Sequence, residues 1–285
     1  MKFAKLQAAG NDFILVDARK VEEEWSKLAQ AMCRHHFGVG ADGLILVQDS
    51  KIADLKMRIF NPDGSEAEVC GNGLRCLAKY SIERSMVGKT SFAVETLSGI
   101  RQVKACVSKG KIGRVEVSMG FPKFQPEQIP VDPAIAGSGV TKESQPILSY
   151  PLAVKGRQLS LCVLSVGNPH AVSFLSEPVA NFPLAEVGPE VEGHPMFPQR
   201  TNFEVARVLS GKEVEARVWE RGVGETLACG SGACAVAVAA QLLGYTSNVV
   251  DIILAGGTLT ISWDRVGEVL LTGPVGEVFT GEWVE

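Results

Sequence analysis

The sequence predicts an α/β protein of two duplicated domains, each a strand-rich sheet wrapped around one buried helix. Three observations lead there. The chain has 285 residues, enough for two domains of ordinary size. Short β-rich runs punctuated by Gly, Pro, Asn or Asp outnumber helical stretches. A cysteine followed by Gly-x-Gly and an apolar stretch occurs twice, as "VCGNGLRCLAKY" at 69–80 and "ACGSGACAVAVAA" at 228–240.

The predicted strands, in order, are "DFILVDA", "GLILVQ", "KMRIFN", "SFAVET", "RVEVSM", "LCVLSV", "AVSFL", "FEVARVL", "EARVWE", "LTISW" and "VLLTG". Helices are expected over 22–33, 73–85 and 232–243. The last, "GACAVAVAAQLL", is apolar on every face, so it must be enclosed, and a wrapped sheet encloses it. The first copy's helix is only partly polar and should sit similarly. The Pro- and Gly-rich "GFPKFQPEQIPVDPAIAGSG" at 120–139 reads as the connection between halves.

The duplication extends beyond the cysteines. Glu66 and Glu225 each stand four residues before theirs, and strand-like "LKMRIF" (55–60) and "VEARVW" (214–219) lie upstream. Nine residues before the cysteine stand Asn61 in one copy and Glu220 in the other. "GNDFILV" at 10–16 answers "GNPHAVSF" at 167–174, so that Asn11 precedes Cys70 by 59 residues and Asn168 precedes Cys229 by 61. Two landmarks in one order at nearly constant spacing make a duplicated domain, with a period too long for a solenoid.

Composition narrows the function. Hydrophobic content of 46% and charged content of 21% are ordinary for a globular protein. A net charge of −4 gives no electrostatic basis for binding nucleic acid or an anionic membrane, so the expected partner is a small molecule. The N-terminus lacks the apolar segment and cleavage site of a signal peptide, and no apolar run approaches the roughly 18 residues that span a bilayer. The expected location is the cytoplasm. Seven cysteines, an odd number scattered through a long chain, do not make a disulfide scaffold; most should be buried small hydrophobes.

Two motifs lead nowhere. "GVGADG" at 38–43 has dinucleotide-fingerprint spacing, but a strand follows it where a helix is required. Cys70 and Cys76, like Cys229 and Cys234, point to different helix faces, and His35, His36, His170 and His194 lack ligand spacing, so no metal site is expected. Cys76 and Cys234 are read as packing.

Cys70 and Cys229 differ. Each opens a helix whose first N–H groups lack partners, next to glycines that let a ligand approach the backbone. Such a position lowers a thiol pKa and binds carboxylate. One such cysteine could be a cap or a reactive group. Two, related by duplication, would face each other across a cleft if the halves do. Opposed thiols suit the inversion of a carbon centre: one removes a proton and the other delivers one to the opposite face. Taken alone, Asn11 and Asn168 could be turn residues before strands, and His170 a satisfied strand-edge histidine.

"KLQAAGNDFILVD", "RHHFGVGADGLILV", "RIFNPDGSEAEVCGNGLRCLAKY", "VGNPHAV" and "WERGVGETLACGSGACAVAVAA" resemble diaminopimelate epimerases over nearly the whole chain. The resemblance implies an α+β type of α/β fold: two pseudo-symmetric domains, each a curled, mostly antiparallel sheet around a central helix, with the active site in the cleft between them. The implied domains are 1–119 plus 273–285, carrying Cys70, and 120–272, carrying Cys229. It further implies cofactor-independent interconversion of LL- and meso-diaminopimelate, in lysine and peptidoglycan-precursor synthesis. Matched position by position, Cys70 and Cys229 are the acid/base pair, tuned by His170 and Glu220. Asn11, Asn61, Gly71, Asn72, Asn168, Asn202, Glu220, Arg221, Gly230 and Ser231 contact substrate. No metal or cofactor is implied, and a homodimer is admitted. One departure stands out: Gly43 occupies a position where some members carry glutamine.

Other classes compete. A two-cysteine racemase of the same fold, proline racemase-like, would use the same thiols. A redox sensor could also place two thiols within reach, but it would need one cysteine without a carboxylate-binding partner helix. A binding module could keep the fold and lose the thiols, and the presence of both argues against it. A pyridoxal-phosphate racemase would need a committed lysine and a phosphate cup, which no segment suggests.

Overall fold

A computed structural model describes residues 1–132 and 146–284. In chain order the elements are β1 (Lys2–Ala8), β2 (Asn11–Asp17), α1 (Trp25–Cys33), β3 (Gly43–Gln48), β4 (Leu55–Phe60), β5 (Glu66–Ala67), α2 (Gly71–Glu83), β6 (Ser91–Thr96), β7 (Gly99–Ser108) and β8 (Lys111–Ser118). They continue as β9 (Ile147–Val154), β10 (Arg157–Ser165), β11 (Pro169–Phe174), α3 (Leu184–Glu192), β12 (Asn202–Ser210), β13 (Glu213–Glu220), β14 (Gly224–Thr226), α4 (Gly230–Leu242), β15 (Val249–Leu254), β16 (Gly257–Ser262), β17 (Leu270–Pro274) and β18 (Gly276–Glu282). The chain forms two compact units, Met1–Ser118 with Thr272–Glu285, and Met119–Leu271. Of the expected connection, Lys123 bridges to Ser165 and Ile129 is buried in the second unit's core, while 133–139 lie outside the described residues.

In the first unit β1 pairs antiparallel with β18 and β2, β2 parallel with β3, and β3 antiparallel with β4. β4 then pairs antiparallel with β5 and parallel with β6, and β6 antiparallel with β7. The second unit repeats the scheme strand for strand. β10 pairs antiparallel with β9 and β11, β11 parallel with β12, and β12 antiparallel with β13. β13 pairs antiparallel with β14 and parallel with β15, and β15 antiparallel with β16. The fold is a mixed α/β one of two repeated units.

Each sheet is covered on two sides. In the first unit α2 packs against β1, β2, β3, β4, β7 and β8, and α1 lies with Ile14, Val16, Leu44, Leu46 and Phe60 in a separate apolar cluster. In the second, α4 packs against β10 to β13, β15 and β16, and α3 lies in a cluster with Val163, Phe203 and Val205. Strands between two apolar layers bury consecutive residues, as Phe13–Val16, Gly43–Val47 and Asn202–Ala206 do.

The two central helices begin at Gly71 and Gly230, two residues earlier than the sequence led us to expect. The reason is the cap: Cys70 and Cys229 are extended N-cap residues whose sulfurs accept the N–H of Gly73 and Gly232, so the glycines fall inside the first turn. Helix α1 starts at Trp25 rather than at 22, with no side-chain cap on its first turn.

Cys76 and Cys234 are fully buried, as expected of packing residues, and burial pushes the Cys76 thiol far above its ordinary range. Cys33 and Cys162 are also buried, each with a pKa pushed up to about 12 mainly by burial. Cys106 is exposed. Cys76→Ala and Cys234→Ala should each cost about 1 kcal/mol of stability and leave turnover per folded molecule nearly unchanged. Loss of activity in a stably folded variant would contradict the division into packing and reactive thiols.

Candidate active site

The first constellation gathers at the head of α2. Cys70 Sγ accepts from Gly73 N–H at 3.5 Å and lies 3.8 Å from Asn11 Oδ1. Asn72 Nδ2 donates to the same oxygen at 3.1 Å, and Asn11 Nδ2 donates to Asp42 Oδ2 at 2.7 Å. Asn72 is itself held from below: its Oδ1 accepts from Nη2 of Arg75, a fully buried residue whose Nη1 donates to the Pro274 carbonyl at 3.1 Å. A guanidinium only donates and a carboxylate only accepts, so the relay from Arg75 through Asn72 and Asn11 to Asp42 fixes both amide orientations.

The second constellation gathers at the head of α4. Cys229 Sγ accepts from Gly232 N–H at 3.4 Å and lies 3.4 Å from Ser231 Oγ. The residue is only 7% exposed, and its thiol pKa is raised well above the ordinary value. Burial is the main cause and the charge of Glu220 adds to it. The Ser231 and Gly232 contacts pull the other way but are outweighed, so the lowering expected of a thiol at a helix start is not found at Cys229. Glu220 Oε1 accepts from Thr226 Oγ1. Asn202 Nδ2 donates to the Pro169 carbonyl at 2.8 Å, and its Oδ1 accepts from Arg221 N–H at 2.9 Å. His170 contacts Asn168 Oδ1 through Nε2 at 2.8 Å and Glu204 Oε1 through Nδ1 at 2.7 Å.

Of the residues singled out from sequence, Asn11, Asn72 and Cys70 come together in the first unit with Gly71, the first residue of α2. In the second unit Cys229, Gly230 and Ser231 form the start of α4, with Glu220 near enough to act on the thiol. Asn61 lies at the turn after β4, its Nδ2 donating to Ser65 Oγ at 2.9 Å. Arg221 donates from Nη1 to the Gln199 carbonyl at 3.1 Å. At Gly43 the space where a side chain would start is filled by the Phe60 carbonyl and the Phe13 ring, 2.9 and 3.3 Å from an ideal Cβ.

Sequence reading missed Arg75, Asp42 and Glu204. It also left unexplained why a glutamate recurs four residues before each cysteine. Both glutamates hold bidentate ion pairs to an arginine eight residues earlier: Arg58 with Glu66 at 2.7 and 2.8 Å, and Arg217 with Glu225 at 2.8 and 3.0 Å. The pairs lock the β4–β5 and β13–β14 hairpins that deliver each chain segment to its cysteine. Among the described residues no cluster of His, Cys, Asp and Glu could hold a metal ion, and no helix is long and apolar enough to cross a membrane.

The family model for diaminopimelate epimerase matches residues 3–125 and 162–278. The chain belongs to the diaminopimelate epimerase family. A diaminopimelate epimerase from Moorella thermoacetica is 47% identical over 286 residues, and one from Pelotomaculum thermopropionicum 46% over 288, each alignment covering 99% of both chains. One from Methanococcus maripaludis is 42% identical over 285 residues, again covering 99% of both. Solved structures share the fold at low identity. A phenazine biosynthesis protein of the PhzF family from Bacillus anthracis has a TM-score of 0.70 at 17% identity, covering 100% of this chain and 99% of its own. A hydroxyproline epimerase from Agrobacterium vitis, with trans-4-hydroxy-L-proline bound, has a TM-score of 0.69 at 15% identity, covering 99% and 90%. The chain is thus an isomerase of the epimerase kind.

Proposed function

We propose that this chain interconverts LL- and meso-2,6-diaminopimelate without a cofactor, by proton transfer between the substrate α-carbon and the thiols of Cys70 and Cys229. The observation that carries the reading is the matched pair of cysteine caps, Sγ to Gly N–H at 3.5 and 3.4 Å, in a chain of this family. In this reading the two units present their cysteines to opposite faces of one carbon. The remaining N–H groups at the starts of α2 and α4 receive the reacting carboxylate and offset charge developing on the carbanion. Asn11, Asn61, Asn72, Asn168, Asn202, Glu220 and Arg221 bind the rest of the substrate.

One thiol removes the α-proton as thiolate while the other, protonated, delivers a proton to the opposite face. In the reverse direction the roles exchange. The same reading places the enzyme in the cytoplasm, in lysine and peptidoglycan-precursor synthesis, and admits a homodimer.

The test is turnover of LL-diaminopimelate by purified protein with no added cofactor, in the presence of a chelator, with proline and hydroxyproline assayed alongside. Appearance of the meso isomer is expected. Turnover of a proline substrate instead would favour a proline racemase-like activity on this fold, and turnover of neither would sink the reading.

A further inference from the structure

We propose that Glu204 is a positioning residue for the second half of the site: acting through His170, it sets the orientation of the Asn168 side chain toward substrate. This rests on the epimerase reading, in which Asn168 binds diaminopimelate.

Glu204 sits in the middle of β12, where both sheet faces are covered, and is 1% exposed; His170, across the parallel pair β11–β12, is fully buried. The carboxylate Oε1 lies 2.7 Å from Nδ1, and the opposite ring nitrogen lies 2.8 Å from Asn168 Oδ1. A carboxylate only accepts, so the nitrogen facing it carries the hydrogen and the ring is fixed in plane. Nε2 then holds the Asn168 amide, by donating to Oδ1 from a doubly protonated ring or by accepting from Nδ2 of the flipped amide when the ring is neutral. Glu204 Oε2 has no hydrogen-bond partner among the described residues. Burial raises the carboxyl pKa and His170 opposes the rise. A buried acid with an orphaned oxygen is a poor device for stability.

The duplication supplies an internal control. At the corresponding places the first unit has Phe13 and Ile45. Ile45 Cδ1 lies 3.0 Å from where a Cβ at Gly73 would be, and Glu204 Oε1 lies 2.9 Å from the same point at Gly232. An apolar pair therefore fills this volume under the central helix, and the fold does not require an ionisable one. What differs is how the asparagine is held. Asn11 is fixed by Asn72 and Asp42, whereas the counterpart of Asn72 in the second unit is Ser231, whose hydroxyl faces Cys229 Sγ. Glu204 and His170 do for Asn168 what Asn72 and Asp42 do for Asn11.

The experiment compares Glu204→Gln, Glu204→Leu and the double variant His170→Phe with Glu204→Ile, which copies the first unit's own pair. The double variant should melt at or above the wild-type temperature, since an apolar pair of similar volume replaces a buried polar one. Its KM for LL-diaminopimelate should rise on the order of ten-fold, the loss of one oriented hydrogen bond. Glu204→Gln, whose amide oxygen still accepts from Nδ1–H, should keep a near-wild-type KM. In spectra of protein labelled with ¹⁵N-histidine, the His170 Nδ1–H should be protected from exchange in wild type and Glu204→Gln, and lost in Glu204→Leu. A double variant with wild-type KM, or a Glu204→Leu variant that keeps the protected Nδ1–H, overturns the proposal. A wild-type protein inactive on diaminopimelate would instead sink the epimerase reading, and the ring-nitrogen spectra would still decide whether Glu204 holds His170.

Discussion

Cys70→Ser and Cys229→Ser should each lower epimerisation by roughly 10²–10⁴-fold, the contribution of one positioned proton donor or acceptor. A hydroxyl is a far weaker acid than a thiol, so serine can neither accept the α-proton as its conjugate base nor return one at a useful rate near pH 7. The fold should survive, because each sulfur's structural task is to accept one N–H at a helix start, which a serine oxygen performs at least as well. Normal melting together with lost turnover is the expected combination, measured by thermal unfolding and by appearance of the meso isomer. If either serine variant kept more than about a tenth of wild-type turnover, that cysteine would not be a proton carrier.

Arg75→Met should produce the largest loss of stability. The guanidinium is fully buried and donates to Asn72 Oδ1 and to the Pro274 carbonyl, which ties α2 to the returning C-terminal segment. Methionine fills much of the volume but leaves two interior acceptors without these donors, at about 1–3 kcal/mol each. The melting temperature should fall by roughly 5–15 °C. KM should also rise, because Asn72 would no longer hold Asn11. A melting temperature within about 2 °C of wild type would mean that water or another donor takes over at both acceptors.

The duplication was legible in sequence because its landmarks are those that chemistry constrains most: the cysteine caps, the Gly-Asn turns and the hairpin glutamates. Some strands absent from the sequence expectation have weak apolar signals, although β15, "VVDIIL", alternates clearly in its burial and was legible. β7 and β18 are largely exposed, and β9 contains Pro151, which argues against a strand interior. Helix α3 was hidden by Gly188 and Pro189, yet its buried Leu184, Val187 and Val191 hold it against the sheet. Glu204 escaped because a charge in "FEVARVL" reads as an outward residue on an alternating strand. The signal was present: the aligned residue of the first copy is Ile45, and a charge opposite an isoleucine at a buried register position marks a site where the two halves have diverged. Arg75 was concealed in the same way, as a cation on a helix whose buried face cannot be read from periodicity when nearly every residue is covered.

The central claim is that two monoprotic thiols act on opposite faces of one carbon, and the distribution of solvent hydrogen tests it most directly. LL-diaminopimelate incubated in heavy water should yield meso product carrying deuterium at the inverted carbon. The unreacted substrate, sampled at low conversion, should carry none. A thiol that has taken the substrate's proton holds only that proton, so return to the starting face restores hydrogen, while the opposite thiol delivers deuterium from solvent. Equal labelling of substrate and product from the outset would point to a single polyprotic base, and the two-cysteine account would be wrong.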